Sequence, residues 1–372
     1  MRQAVSATPI ETRMTVDTYP TSGTRRVRRW LGALWERPLA RAIARAILTI
    51  YVVITLTFVI VRLMPGNPVD IFINQLIAEQ GISYAEAADQ ASGLFNLDLK
   101  APLHEQYGDF LVRLVRGDLG SSYLSAGTPV LSIIAATLPW TLFSVGTGLM
   151  LSFVVGIGLG LIAAYRRDSR ASTAISTVGS IISSIPNYIT ALLIVVFLGT
   201  QWRLLPIAQM RGATSPGIEP GLSAAFLGDV LFHAFLPISI FFLAGIGHWI
   251  LGMKSATMAT LEEDYVNAAR ARGLRDGRIG TAYVGRNAVL PLVAQFAIEA
   301  GQVMGGAIFV ETILVYPGIG LRLIGAVNQR DYPVMQGILL LVTASVVVAN
   351  LLSDILYAKL DPRIGRAGGA AG

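Results

Sequence analysis

The chain has 372 residues, 53% of them hydrophobic and 14% charged, with a formal net charge of +6 at pH 7. So little charge excludes a soluble domain of ordinary composition, and the lack of cysteine excludes disulfide frameworks, thiolate metal sites and thiol nucleophiles. The basic balance does not point to nucleic acid, because the positive residues are spaced as they are around membrane spans.

Residues 1–37 are rich in Thr, Ser and Arg, with TRRVRRW at 24–30 and no sustained apolar period, and read as a mobile basic cytoplasmic tail. Pro38 suits a helix start, and PLARAIARAI is expected to lie along the membrane surface before the chain turns inward. A bilayer core takes roughly 20 apolar residues to cross as a helix. The first such run is 42–63, where Arg45 and Arg62 can snorkel from either end. It reaches spanning length without a small-residue cleavage site, so it reads as an uncleaved anchor.

An external segment, 64–135, comes next. Within it Pro102 can open a helix whose Leu103, Tyr107, Phe110, Leu111 and Leu114 form one apolar face. That face is expected to pack either on the protein's own spans or on an external partner. Span two, 137–164, carries Gly146, Gly148, Gly156, Gly158 and Gly160, and span five, 289–311, carries Gly301, Gly305 and Gly306. Small residues let helices approach closely in lipid. Span three lies within 171–202, where Pro186 predicts a bend whose freed carbonyl is satisfied by neighbouring Ser or Asn. Spans four and six lie near 231–252 and 333–357. Most of the 29 Lys and Arg fall in 1–45, 165–170, 253–288 and 358–372, which places both termini in the cytoplasm. The expectation is an all-α protein of six spans, with a permease domain over 38–365 and a short tail, 366–372.

The cytoplasmic segment 253–288 contains EEDYVNAARARGLRDGRIG, which is dense in charge. Glu262, Glu263 and Asp264 precede Arg270, Arg272 and Arg275, the order that complements a helix dipole, and Gly273 supplies a stop. A helix is therefore predicted from about Asp264 to Arg272. Beyond Tyr265, Val266 and small alanines it has little apolar surface to bury. On these residues alone it is either a solvated connector or an element that docks into something.

Glu299 is the sole charged residue in the central portion of any predicted span, and such a group either lines a path or is held as a hydrogen-bonded structural residue. Glu311, near the outer end of span five, is expected to be structural, paired with Arg322 or Arg330. His104, His233 and His248 read as surface or lipid-contact residues. An intramembrane hydrolase using Ser223 is disfavoured because Ser223 lies in an external loop and His248 near the cytoplasmic end of span four. An ion-coupled secondary transporter built on Glu299 would need a paired basic group or an inverted repeat, and neither is visible in the sequence. No lysine follows a glycine, so the chain has no phosphate loop of its own.

Several segments resemble the inner-membrane permease subunits of binding-protein-dependent ABC importers, in the peptide and nickel branch. Asn267-Ala268-Ala269 with Gly273, followed by Leu290-Pro291, is similar to that family's cytoplasmic motif, with Asn267 in place of its Glu. RLMPGNP at 62–68, LDLKAPLHEQYGDFLVRLVRGDLGSS at 97–122, SIPNYITALL at 184–193, GGAIFVETILVYPGIGLRLIGAVNQRDYPVMQG at 305–337 and KLDPRI near the C-terminus look like the same branch. The resemblance covers roughly residues 42–365. It implies a type I importer permease of the bacterial inner membrane, with no cofactor or metal of its own and no affinity for nucleic acid. The chain would be one half of a pore completed by a second, homologous permease. Two separate ATPase subunits, which hold ATP and Mg, would bind inside and a solute-binding protein outside. The short helix becomes a coupling helix, with Asp264, Tyr265, Asn267, Ala268, Ala269, Ala271 and Gly273 as its contact residues. Glu299 becomes a candidate for the translocation path, and Glu311, Arg330 and Asp331 stabilise an external loop. The implied cargo is a peptide, with nickel chelates, glycosides and opine-like compounds as alternatives.

Overall fold

The computed structural model describes residues 38–63, 73–74, 76–78, 80–95, 102–125 and 127–360. The expected tails at 1–37 and 366–372 lie outside them, as do most of RLMPGNP and the start of the 97–122 segment. From Ala46 onward the chain forms one compact unit.

Among the described residues the regular elements are helices. In chain order they are α1 (Pro38–Leu63), α2 (Tyr84–Phe95), α3 (Leu103–Val115), α4 (Val130–Tyr165), α5 (Arg170–Ser183) and α6 (Asn187–Leu193). Then come α7 (Ala224–Leu261), α8 (Asp264–Ala271), α9 (Arg286–Gly306), α10 (Ile308–Leu314), α11 (Ile319–Gln329) and α12 (Tyr332–Leu360). Two π-helical stretches interrupt the series: Ile194–Gln201 continues α6, and Ile279–Gly285 leads into α9.

Among the described residues four helices are long and apolar enough to cross a membrane, over Ala40–Ile60, Val130–Tyr165, Ala224–Leu261 and Tyr332–Ser353. Two bent pairs would raise the number to six, α5 with α6 and its π continuation (95°) and α10 with α11 (85°). Three departures from expectation have local causes. α1 begins at Pro38 but runs to Leu63 as one helix, so the turn expected after PLARAIARAI is absent. The predicted third span is broken almost at a right angle where Pro186 caps α6; the Ile182 carbonyl, which the proline leaves without its i+4 donor, accepts from the Ile185 N–H (3.2 Å), while the Ser183 and Ser184 hydroxyls bond the Ser180 carbonyl (3.1 and 2.8 Å). The predicted fifth span ends at Gly306, and its outer part becomes the separate helix α10.

The core is built on close contact between α4 and α7. A Cβ at Gly148, Gly156 or Gly160 would lie 2.6 Å from Phe241 Cβ, 2.5 Å from Trp249 Cβ or 2.6 Å from the Ile250 carbonyl oxygen. These three glycines form a seam along one face that lets two backbones meet, which in lipid replaces hydrophobic burial with dispersion. Gly146 and Gly158, on other faces, would meet nothing within 4 Å. Two residues of the apolar face of α3 meet the protein's own first helix, while Leu103 of that face stays 60% exposed. Phe58 stacks on Phe110 (5.5 Å between centroids), and the Thr55 and Tyr107 hydroxyls are 2.6 Å apart.

Candidate functional site

The short charged helix forms where the charge order places it. α8 spans Asp264–Ala271, and Gly273 takes φ +74°, the left-handed conformation that ends a helix without a Cβ penalty. Its two faces differ. Val266 and Ala269 (3% exposed) are buried against Ile279 and Val284 of the following π stretch, with Leu261, Leu274 and Tyr283 around them. Asp264, Asn267, Ala268 and Ala271 recur at helical spacing on the opposite, exposed face, with Tyr265 and Gly273 also exposed. Ala269, expected among the contact residues, is therefore turned inward. The little apolar surface that α8 has is buried with help from its own chain, on the π stretch that leads into α9.

A side-chain bridge ties α8 to the membrane helix beyond. Asn287 Nδ2, in the first turn of α9, donates to Tyr265 Oη (2.9 Å) and to the Tyr283 carbonyl (2.9 Å). A cavity of about 410 Å³ opens beside this support, lined by Leu161, Ile162, Tyr165, Arg166 and residues of the 276–281 turn. Glu299 is not among its lining residues.

Glu299 lies in the body of α9, and its Oε1 is 3.4 Å from His248 Nε2 on α7, with side chains 26% and 56% exposed. Gln295 lies one turn earlier on α9, at the i−4 position that shares a face with Glu299. His248 is exposed, as its reading as a surface or lipid-contact residue expects, but the α7–α9 contact sets it beside Glu299, for which the sequence shows no paired basic group. The imidazole packs edge-on to Trp249 (5.3 Å), itself wedged between Phe153 (4.9 Å) and Phe296 (6.2 Å).

Glu311 has quite different surroundings. It is wholly buried in α10, and its carboxylate accepts from Thr141 Oγ1 (2.6 Å) and from the backbone N–H of Gly320 (2.7 Å) and Leu321 (3.3 Å). Thr141 Oγ1 in turn accepts from the Ile319 N–H (2.9 Å). The carboxylate thus caps the N-terminus of α11, where free N–H groups and the helix dipole favour an anion. Among the described residues neither Arg322 nor Arg330 pairs with it; the backbone supplies the donors instead. A side chain at Gly318 would occupy the carboxylate's own space. Val315 adopts φ 53°, rare for a β-branched residue, and turns the chain from α10 into α11.

The next turn repeats the device. Asp331, 3% exposed, accepts from Ser122 Oγ and from the Tyr123 N–H (3.2 Å), so it holds the 118–129 loop against the start of α12. Arg330 caps α11 in the left-handed conformation, φ 60°. His233, also expected at the surface, is buried, with Nδ1 2.9 Å from the Asp229 carbonyl. Ser223 accepts from the Phe226 N–H (3.2 Å) as the N-cap of α7. Among the described residues no group of three His, Asp or Glu is placed to hold a metal ion.

Long apolar helices joined by glycine seams, with a short supported helix on a polar loop, define an integral membrane protein of the permease class. Residues 156–366 match the model of the binding-protein-dependent transport system inner membrane components, and the chain belongs to that family. It is similar to the di/tripeptide transport system permease protein DppB of Pseudomonas aeruginosa, 32% identical over 88% of this chain and 98% of the relative. It is also similar to the oligopeptide transport system permease protein AppB of Bacillus subtilis, 30% identical over 87% and 99%. A Brucella ovis protein bearing a peptide-permease name is 36% identical over 83% and 92%.

Proposed function

We infer that the chain is one of two homologous permease subunits of an ATP-driven importer in the bacterial inner membrane, and that its cargo is a peptide delivered by an extracytoplasmic binding protein. In this reading α1, α4, α5–α6, α7, α9 and α12 are the six spans, with both termini cytoplasmic. The α10–α11 elbow and the loop held by Asp331 form the outer cap. ATP, with its Mg ion, is bound and hydrolysed by two separate subunits, and this chain contributes motion and no chemistry.

The observation that carries this reading is the division of α8 into two faces. An inward anchor of Val266 and Ala269 holds the helix on its own chain, and an outward face of Asp264, Asn267, Ala268 and Ala271, flanked by Tyr265, remains for a partner. Alanine methyls permit close approach to a groove, while the Asn287–Tyr265 bond passes displacement of α8 into the first turn of α9. Closure of the ATPases on ATP would thus move the helix that carries Glu299. The peptide-permease names of the relatives support the cargo class.

The test is substrate-stimulated ATP hydrolysis by the assembled complex. Ala268→Trp adds a ring to the outward face, and overpacking of about 1 to 3 kcal/mol is expected to cut stimulation by about tenfold or more while the chain still inserts. Full stimulation with Trp at 268 would mean that the ATPases dock elsewhere. The chain purified free of other subunits is expected to hydrolyse no ATP.

A further inference from the structure

From Leu236 to Lys254, His248 is the sole exposed residue of α7. The large apolar side chains that α7 exposes, Leu227, Leu231, Phe232, Phe235 and Met258, all lie outside that stretch, as expected if lipid covers the ends of the helix and something else covers its middle. The rotation of α7 is set by Trp249, fully buried beside Phe153 and Phe296, so His248 has no route into the core. Across from it α9 presents Gln295 and Glu299 one turn apart.

Of the three side chains in this cluster, Glu299 alone can carry a negative charge. Among the described residues no lysine or arginine forms an ion pair with Glu299. A carboxylate facing hydrocarbon is costly, so the face belongs to a cavity or a partner. The carboxylate has more acceptor positions than the imidazole and the Gln295 side chain fill. The group that completes it would be a hydrogen-bond donor with positive charge.

We propose that His248, Gln295 and Glu299 form a transient binding site for a cationic group of the passing peptide, its terminal ammonium or a basic side chain. The proposal rests on the peptide-permease reading above. Glu299 receives the cation, and Gln295 and His248 hold the carboxylate away from the core. The partial exposure of the site keeps the attraction weak enough for release. The site therefore favours basic over acidic peptides in the passage step, separately from any selection by a binding protein.

The experiment uses the complete importer in proteoliposomes with its binding protein saturated, and compares ATP-dependent uptake of Ala-Lys-Ala with that of Ala-Glu-Ala. The ratio of the two rates cancels differences in assembly between preparations. Glu299→Gln is expected to lower that ratio by about tenfold, the effect of one charge-assisted hydrogen bond, while Glu299→Asp retains most of it. His248→Arg leaves the carboxylate in place but neutralises it, and is expected to lower the ratio in the same direction, so the proposal stays testable if the Glu299→Gln chain fails to fold or insert. An unchanged ratio in an assembled variant of either kind overturns the proposal. So does loss of the second permease from Glu299→Gln preparations, which would assign the carboxylate to an ion pair between subunits. Wild-type vesicles that import neither peptide would overturn the peptide-permease reading itself, whereas import with an unchanged ratio overturns the cation site alone.

Discussion

Glu299 and Glu311 lie in consecutive helices, and the two regions treat the same side chain in opposite ways. At the outer elbow Glu311 is sealed from solvent and receives a hydroxyl and two backbone N–H groups at a helix start. In the body of α9 Glu299 faces outward, with an imidazole at 3.4 Å and room left over. A buried carboxylate is tolerable when its lone pairs are filled, and it then becomes part of the scaffold. A carboxylate left partly unfilled in an apolar protein is costly unless a visiting group completes it, which is how a site differs from a strut.

The strongest way to break this contrast is to remove each carboxylate's charge. Glu311→Gln keeps the shape but gives the α11 N-terminus a neutral acceptor and an NH₂ facing N–H donors, so it is expected to destabilise the protein by about 3 kcal/mol. Glu299→Gln is expected to stay within about 1 kcal/mol of wild type, since a half-exposed pair contributes little. Thermal unfolding in detergent measures both, and equal losses would erase the distinction. A smaller effect is expected from Thr141→Val, which removes the hydroxyl shared by Glu311 and the Ile319 N–H while leaving the carboxylate's two backbone donors. That change is expected to cost about 1 to 2 kcal/mol in the same assay.

The smallest effect extends the comparison to a carboxylate in water. Glu86 accepts from the Ser83 N–H (3.0 Å) and hydroxyl (2.9 Å), while Ser83 Oγ accepts from the Glu86 N–H (3.3 Å), a capping box at the start of α2. The Ser83 backbone bond first, and its hydroxyl second, hold the Glu86 carboxyl below the usual carboxylate range. Because the folded value is depressed, its contribution is fully present above the ordinary glutamate range and is lost as pH falls through the lower folded value. Amide protection in 84–88, with hydrogen exchange corrected for its intrinsic slowing in acid, is expected to fall over that acid interval in wild type but not in Glu86→Gln. Equal acid response in both would leave the cap without a measurable role.

Much of the architecture is legible in the sequence. α8 can be placed to within a residue because its cues are local: charge order along a dipole, and a glycine at the position that needs positive φ. The Pro102 start of α3 and the break at Pro186 are readable for the same reason. The angle of that break is not, since a proline marks where a helix yields while the packing of α5 and α6 decides how far. Likewise the glycines of span two announce close contact, but only the facing residues of α7 separate the seam at Gly148, Gly156 and Gly160 from the free positions Gly146 and Gly158.

By itself the sequence determined that this is an all-helical membrane protein with a short charged helix between two apolar runs and one isolated mid-span carboxylate, because composition, periodicity and caps act over a few residues. Tertiary structure decided which alanine of α8 faces inward, that His248 meets Glu299, and that Glu311 is satisfied by backbone donors and not by arginine. Each of those outcomes depends on side chains or backbone groups brought together by helix packing. Two helices far apart in the chain can rotate about their axes without any change in hydropathy, so no local pattern records which faces will meet.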